Sequence, residues 1–331
     1  MVYKKAIIFI KNSLYLYIGE RGEFFMMNGI NSDAVMHSFN NGNQTTVILK
    51  DGSKVTYDND SVWKGTWGED QPTISYDEKT GTYTFDGFDG KNISIEGGNA
   101  NSTYTFAEAD NAKIDLESEG INLVVLDSKN VDIDGSTGTD NISISNSKNI
   151  DIDAGKGDDN IVVLDSSKVD VNAGKGDDNV GLYNTDHSKV TGGKGSDYVY
   201  GEGIHHVKIN GGKGDDYIQF KGDHVIANGG KGADMVDVLG DHNTLHGGSG
   251  KDSLASYGDH SYIDGDSGKD SVYSNGNGNI VKGGTGSDKI GIEGKVNIVR
   301  GGFGHDVIDA GGFWNRFLNN IWGGFGFDFI K

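Results

Sequence analysis

Ten aspartates recur at nearly constant spacing: Asp140, Asp159, Asp178, Asp197, Asp216, Asp234, Asp252, Asp270, Asp288 and Asp306. The steps are 19 residues four times and 18 residues five times, and Asp328 follows after a step of 22. Most of these aspartates close a glycine-rich turn, as in Gly192-Gly193-Lys194-Gly195-Ser196-Asp197 and Gly211-Gly212-Lys213-Gly214-Asp215-Asp216. Glycine reaches backbone angles that a Cβ forbids, so such a turn can aim its carbonyl oxygens inward. The candidate donors are the ten carboxylates and backbone carbonyls of turn glycines such as Gly193, Gly195, Gly212, Gly214, Gly230, Gly232, Gly248, Gly250, Gly284 and Gly286. Hard oxygen donors in a chain without cysteine suit Ca²⁺, which takes about 6–8 oxygens. One turn cannot supply that many, but two stacked turns with an ion between them can. Ten stacked turns imply about nine ions along one edge.

Two other sets of side chains could do chemistry. His187, His206, His224, His242 and His260 recur at 18–19 residues in the opposite turns, with Asp186, Asp223, Asp241 and Asp259 just before four of them. They read either as a second metal edge or pH-sensitive seam, or simply as Gly-Asp-His turns. The turn reading is preferred, because no tetrahedral ligand set is evident. Asp132, Asp134, Asp151, Asp153 and Asp170 form an outward acidic row. Paired carboxylates can cleave glycosides, but charge runs are usually solvated faces. The sequence contains no His-Glu-x-x-His, Gly-x-Ser-x-Gly or phosphate-loop motif. A non-enzyme is expected.

The elements that must hold the aspartate row follow from the same period. Two residues after each aspartate sits an aliphatic: Ile142, Ile161, Val180, Val199, Ile218, Val236, Leu254, Val272, Ile290 and Ile308. A second ladder fills the other half of each repeat: Ile133, Ile152, Val171, Val190, Ile209, Ala227, Leu245, Ile263, Val281 and Val299. Each repeat therefore holds two short strands and two turns. Neither half buries its apolar side alone, so the copies must stack. The expected fold is all-β, a parallel β-roll or β-solenoid of about ten 18–19-residue coils with a small N-terminal β cap. Coils should lie about 4.8 Å apart. Ten carboxylates at that spacing repel one another strongly without cations, so the metal-free chain is expected to be loose or unfolded.

The roll is expected over residues 109–310 and the cap over 27–108. Hairpins are read at 46–49 with 55–58, around Asp51-Gly52-Ser53, and at 73–76 with 82–85, around Lys79-Thr80-Gly81. Residues 101–130 read as degenerate early coils. Residues 311–331 combine a last repeat with an aromatic cap of Phe313, Trp314, Phe317, Leu318, Ile321 and Trp322. Residues 1–26 are read as an untranslated leader or a disordered N-terminus. Arg21-Gly22-Glu23 can be encoded by a ribosome-binding sequence just upstream of Met26-Met27.

Composition agrees with a thin repeat structure. The 331 residues include 54 Gly, one Pro and no Cys, with 34% hydrophobic residues and a net charge of -20. That acidity excludes nucleic acid as a natural partner and favours cations. No apolar run approaches the roughly 18 residues of a membrane span.

The turn Gly-Gly-x-Gly-x-Asp followed by x-aliphatic-x closely resembles the RTX, or haemolysin-type, calcium-binding repeat. Nonapeptides of that type form Ca²⁺-binding parallel β-helix repeats. The likeness covers about residues 130–310 and 323–331, and the copies ending at Asp197 and Asp216 match every position. It implies type I export of an unfolded chain and folding on meeting extracellular calcium, hence an extracellular or cell-surface location. Departures are present. Ala154, Ala173 and Asp266 replace glycines, the turn at Thr139-Asp140 lacks its early glycines, and the opposite turns lack the motif. One calcium edge is therefore expected, with weaker sites at those substitutions. The expected role is structural or adhesive, with extracellular polysaccharide or a cell surface as partner. The alternatives are a carbohydrate-active enzyme on a β-helical scaffold and a fragment of a larger RTX toxin or exoprotein.

Overall fold

The computed structural model describes residues 8–10, 14–18, 24–27, 34–40, 44–58, 73–97, 102–311 and 319–331. Every regular element among them is a β-strand. Stacked parallel coils, 18–19 residues apart over most of their length, form a β-solenoid of about 13 turns. Two long sheets result. One has 15 strands and runs from Thr73–Asp77 to Phe329–Ile330. The other begins with the antiparallel strands Val35–Asn40, Gln44–Leu49 and Lys54–Asp58 and continues in parallel from Asn92–Glu96 to Asn320–Phe325.

Register fixes the core. Ile142 pairs with Ile161, Ile161 with Val180, and Val180 with Val199. On the facing sheet Ile133 pairs with Ile152 and Ile152 with Val171. Both aliphatic ladders are almost wholly buried along their whole length. Each Ile, Val or Leu so placed contributes about 1.5–3 kcal/mol relative to exposure. β-Branched side chains suit this flat, pleated contact.

The stack has more coils than the ten that the glycine-aspartate period reveals. The additional coils lie between residues 82 and 126, inside the segment expected to be cap and degenerate repeats. Thr82–Asp86 pairs in parallel with Thr103–Ala107, which pairs with Asn122–Leu126. In the first two of these strands aromatics replace aliphatics: Phe85 stacks on Phe106 at 4.6 Å and Tyr83 on Tyr104 at 5.8 Å. Both expected hairpins are present, and the second uses the first parallel strand as its return arm. The tight turn at Asp51 closes this end, with its carboxylate accepting from Tyr104 Oη at 2.9 Å and its backbone N–H donating to Tyr83 Oη. Antiparallel strands laid over the first coils cover an edge that would otherwise pair with other chains.

Ile8–Ile10, Leu14–Ile18 and Phe24–Met27 form a separate three-stranded antiparallel sheet, within the segment read as a leader. Of the expected aromatic cap, Phe313, Trp314, Phe317 and Leu318 lie outside the described residues. Ile321 packs against the core, while Trp322, Phe325, Phe327 and Phe329 face outward.

Leu254→Ala is expected to lower unfolding stability by about 2–5 kcal/mol through a cavity in the ladder. Leu239→Ala, on the outward side of the neighbouring strand, is expected to change it by less than about 0.5 kcal/mol. Chemical denaturation of the two variants in one buffer checks both values.

Candidate metal centre

Each aspartate of the row stands at the end of a glycine turn, immediately before an inward-facing strand. The turns stack closely. At Gly195 φ is +126°, and an added Cβ would lie 1.9 Å from Gly176 O. Only glycine meets both demands.

The stacking carries the aspartates inside. From Asp140 to Asp306 their exposure is 0–2%. One oxygen of each has a fixed structural duty. Asp159 Oδ1 accepts from the Asp140 N–H at 2.8 Å, Asp178 Oδ1 from Asp159 N–H at 2.8 Å, and Asp197 Oδ1 from Asp178 N–H at 2.9 Å. The chain of bonds continues coil by coil to Asp328 Oδ1, which accepts from Asp306 N–H at 3.1 Å.

The other oxygen is different. Oδ2 of Asp159, Asp178, Asp197, Asp216, Asp234, Asp252, Asp270, Asp288 and Asp306 is buried without a hydrogen-bond partner. Leaving one buried polar atom unsatisfied costs about 1–3 kcal/mol, and more when it is charged. Nine in a row is a large standing cost. Asp140 is the exception. Its Oδ2 accepts from Ser136 N–H and Oγ at 2.8 Å, and its Oδ1 from Ile121 N–H at 3.1 Å. This expected ligand, in the turn without early glycines, is already satisfied.

Backbone carbonyls converge on the orphaned oxygens. A Cβ added at Gly192 would sit 2.3 Å from Asp197 Oδ2 and 2.6 Å from Gly211 O, so both oxygens approach one point. The arrangement recurs at Gly211, Gly229, Gly247, Gly265, Gly283 and Gly301. In each case the carbonyl comes from the first glycine of the next turn. The carbonyl donors expected from sequence belong to later glycines of the motif, such as Gly193, Gly195, Gly212, Gly214, Gly230, Gly232, Gly248, Gly250, Gly284 and Gly286. The carbonyls of Gly193 and Gly195 lie against Gly212 and Gly214 of the next coil, and those of Gly230 and Gly232 against Gly248 and Gly250. The first glycine of each motif carried a usable signal. It has no positive φ in these turns, so its repetition needs a reason other than conformation. At Ala154 and Ala173, both fully buried, a methyl group occupies that position.

The opposite edge supplies an internal control. Its turns use the same hydrogen-bond device with neutral side chains. Ser128 N–H donates to Ser147 Oγ at 3.1 Å, and Ser147 N–H to Ser166 Oγ at 3.0 Å. Further along, Asn279 Oδ1 accepts from Ser261 N–H at 2.7 Å and Asn297 Oδ1 from Asn279 N–H at 2.7 Å. The asparagine amides are also used, Asn279 Nδ2 donating to Gly258 O at 3.0 Å and Asn297 Nδ2 to Gly276 O at 3.0 Å. The coil therefore needs an acceptor here, and it does not need a charge.

Comparison with protein-family models, with curated proteins and with solved structures found no match. The outward acidic row lines a groove of about 420 Å³ together with Lys189. Lys113 pairs with Asp115 and Asp134, and Lys189 with Asp170 at 3.1 Å. Burial, then Asp170 and Asp132, hold the Asp151 carboxyl above its ordinary value. The imidazoles of the histidine row stack from His187 to His260 with centroids 4.7–5.2 Å apart.

Burial pushes the carboxyls of Asp159 and Asp234 up to about 6, and those of Asp178, Asp216 and Asp270 up to about 7. Asp197, Asp252, Asp288 and Asp306 move the same way for the same reason. The N–H bond to each carboxylate opposes the rise. A carboxyl raised on folding stabilises the fold below its unfolded value, near 3.8, and loses that contribution as pH climbs through the folded value. Chelator-stripped protein is therefore expected to melt at a higher temperature at pH 5 than at pH 8. Circular-dichroism melts at the two pH values check this, and a midpoint that rises with pH would count against the buried charged row.

Proposed function

We propose that the chain is a calcium-binding β-solenoid of the RTX type, structural or adhesive in role and without catalytic activity. The observation that carries the reading is the row of nine buried, unpartnered Oδ2 atoms. The donor set fits the ion. It consists of carboxylate and carbonyl oxygens, with neither thiolate nor imidazole among the turn residues that converge there. Asp159 to Asp306 would hold calcium with carbonyls such as those of Gly211, Gly229, Gly247, Gly265, Gly283 and Gly301. Bound calcium would supply positive charge to oxygens that no protein group reaches. The rest of the work belongs to the chain. The glycines bring the turns close together, the Oδ1–amide ladder fixes each carboxylate, and the aliphatic ladders exclude water from the carboxylate stems.

Folding and cation binding are then one equilibrium. Without cation the carboxylates must protonate or separate, so the chain stays loose where calcium is scarce. Extracellular calcium modules work at about 10⁻⁴–10⁻³ M, which suits export in an unfolded state through a type I system and folding outside the cell. A cell-surface or extracellular location, with polysaccharide or another surface as partner, belongs to the same proposal. Among the described residues no helix is long and apolar enough to cross a membrane. The alternative enzymatic reading rests on the outward acidic groove. Its lysine ion pairs support an ordinary solvated face.

The test is a calcium titration of chelator-stripped protein at pH 8, followed by far-UV circular dichroism, with magnesium as the control. A cooperative gain of β signal with calcium at concentrations where magnesium is silent is expected. A metal-free protein that is already fully folded, and indifferent to calcium, would overturn the proposal.

A further inference from the structure

The opposite edge carries a feature that neither the turn nor the calcium reading uses. His187, His206, His224, His242 and His260 all adopt the left-handed conformation, with φ of 50–58°. At the same place the preceding coils have Asn111, Asn130, Asn149 and Lys168, and Gly278 takes it over afterwards. Asn and Gly are the residues that favour this backbone region. The turn can therefore be made without histidine, yet five successive coils use it.

One step of this row differs from the others. His187 and His206 are 19 residues apart, whereas the later steps are 18. The position before the histidine is Asp186 in one coil and His205 in the next, paired across the coils. In later coils Asp223 Oδ1 accepts from the Asp241 N–H and Asp241 Oδ1 from the Asp259 N–H, one coil on and at 2.7 Å in both cases. Asp186 Oδ1 accepts from the His187 backbone N–H of its own turn at 2.9 Å, and its carboxylate also faces two imidazoles, with His187 Nδ1 2.8 Å from Oδ2 and His206 Nδ1 3.4 Å from Oδ1. The three side chains can place one ligand atom each within 4.8 Å of one another. Each side chain is about half exposed, which leaves room for water to complete a coordination sphere.

We propose that Asp186, His187 and His206 form a binding site for a borderline transition-metal dication of the zinc, copper or nickel class. Two imidazoles and a carboxylate select such ions over calcium, because imidazole nitrogen suits zinc, copper and nickel while calcium takes oxygen donors. The solenoid then carries two chemically distinct kinds of metal site, oxygen donors inside stacked turns on one edge and a single imidazole-carboxylate site on the surface of the other. The site does not depend on the calcium reading, since its ligands stand on the other edge.

Zinc chloride titrated into the calcium-saturated full chain, followed by calorimetry with magnesium chloride as control, tests it. Binding of one zinc per chain is expected. The double variant His187→Asn, His206→Asn keeps residues suited to the left-handed turn and should weaken zinc by more than about tenfold, as should Asp186→Asn. His260→Asn should leave the affinity unchanged, and circular dichroism confirms that each variant keeps its β signal. Copper(II) bound by the parent chain should show two nitrogen donors in its electron paramagnetic resonance spectrum. No zinc binding would overturn the proposal. So would zinc binding undiminished in the double variant, which would move the ion to His246, Asp264 and Asp266, the other compact histidine-carboxylate cluster among the described residues.

Discussion

Stacking at about 4.8 Å sets every residue of a coil against its own copies, so nothing placed in a turn can be diluted. An apolar side chain gains from this repetition and becomes a continuous core. A carboxylate suffers from it, because each copy adds to the repulsion felt by its neighbours. The aspartate row is therefore the constraint on which the rest of the structure depends. It is buried, it is repeated, and one oxygen of nearly every member is left without a partner.

The two edges of the solenoid separate what folding needs from what function adds. Both edges fix their turns by giving a backbone N–H to a side-chain oxygen of the next coil. Serine and asparagine do this on one edge and satisfy all of their polar atoms, as at Asn279 and Asn297. Aspartate does it on the other edge and keeps one oxygen in reserve. The reserve recurs at the coils where the first glycine of the next turn turns its carbonyl toward it. An acceptor of the same shape without charge was within reach of the sequence, so the turn itself does not account for the charge, and it is this charge that the proposed cation would meet.

Much of this was legible in the sequence. The residues two places after each aspartate, Ile142 through Ile308, declare one sheet, and Ile133 through Val299 declare the other. Their period is visible because stacked coils demand like against like. Residues 101–130 are legible only as degenerate coils, and the coil that starts at residue 82 reads as cap, because these turns lack the glycine-aspartate signature and part of their core is aromatic. Tyr83, Phe85, Tyr104 and Phe106 share the stacking but not the residue type. At the candidate site the aspartates were evident, but their burial and the division of labour between Oδ1 and Oδ2 were not. Those depend on how one coil sits over the next, and spacing along one chain does not specify it. The same holds for Asp140, whose satisfaction by Ser136 and Ile121 arises from a turn with a different course.

The central claim is that the orphaned oxygens are cation ligands. Long-wavelength anomalous diffraction from crystals grown in calcium tests it most directly. The account requires a line of anomalous peaks, one per coil, beside Oδ2 from Asp159 to Asp306, with none along the serine and asparagine ladder. An aspartate row without such peaks, its oxygens met by water or by one another, would contradict it.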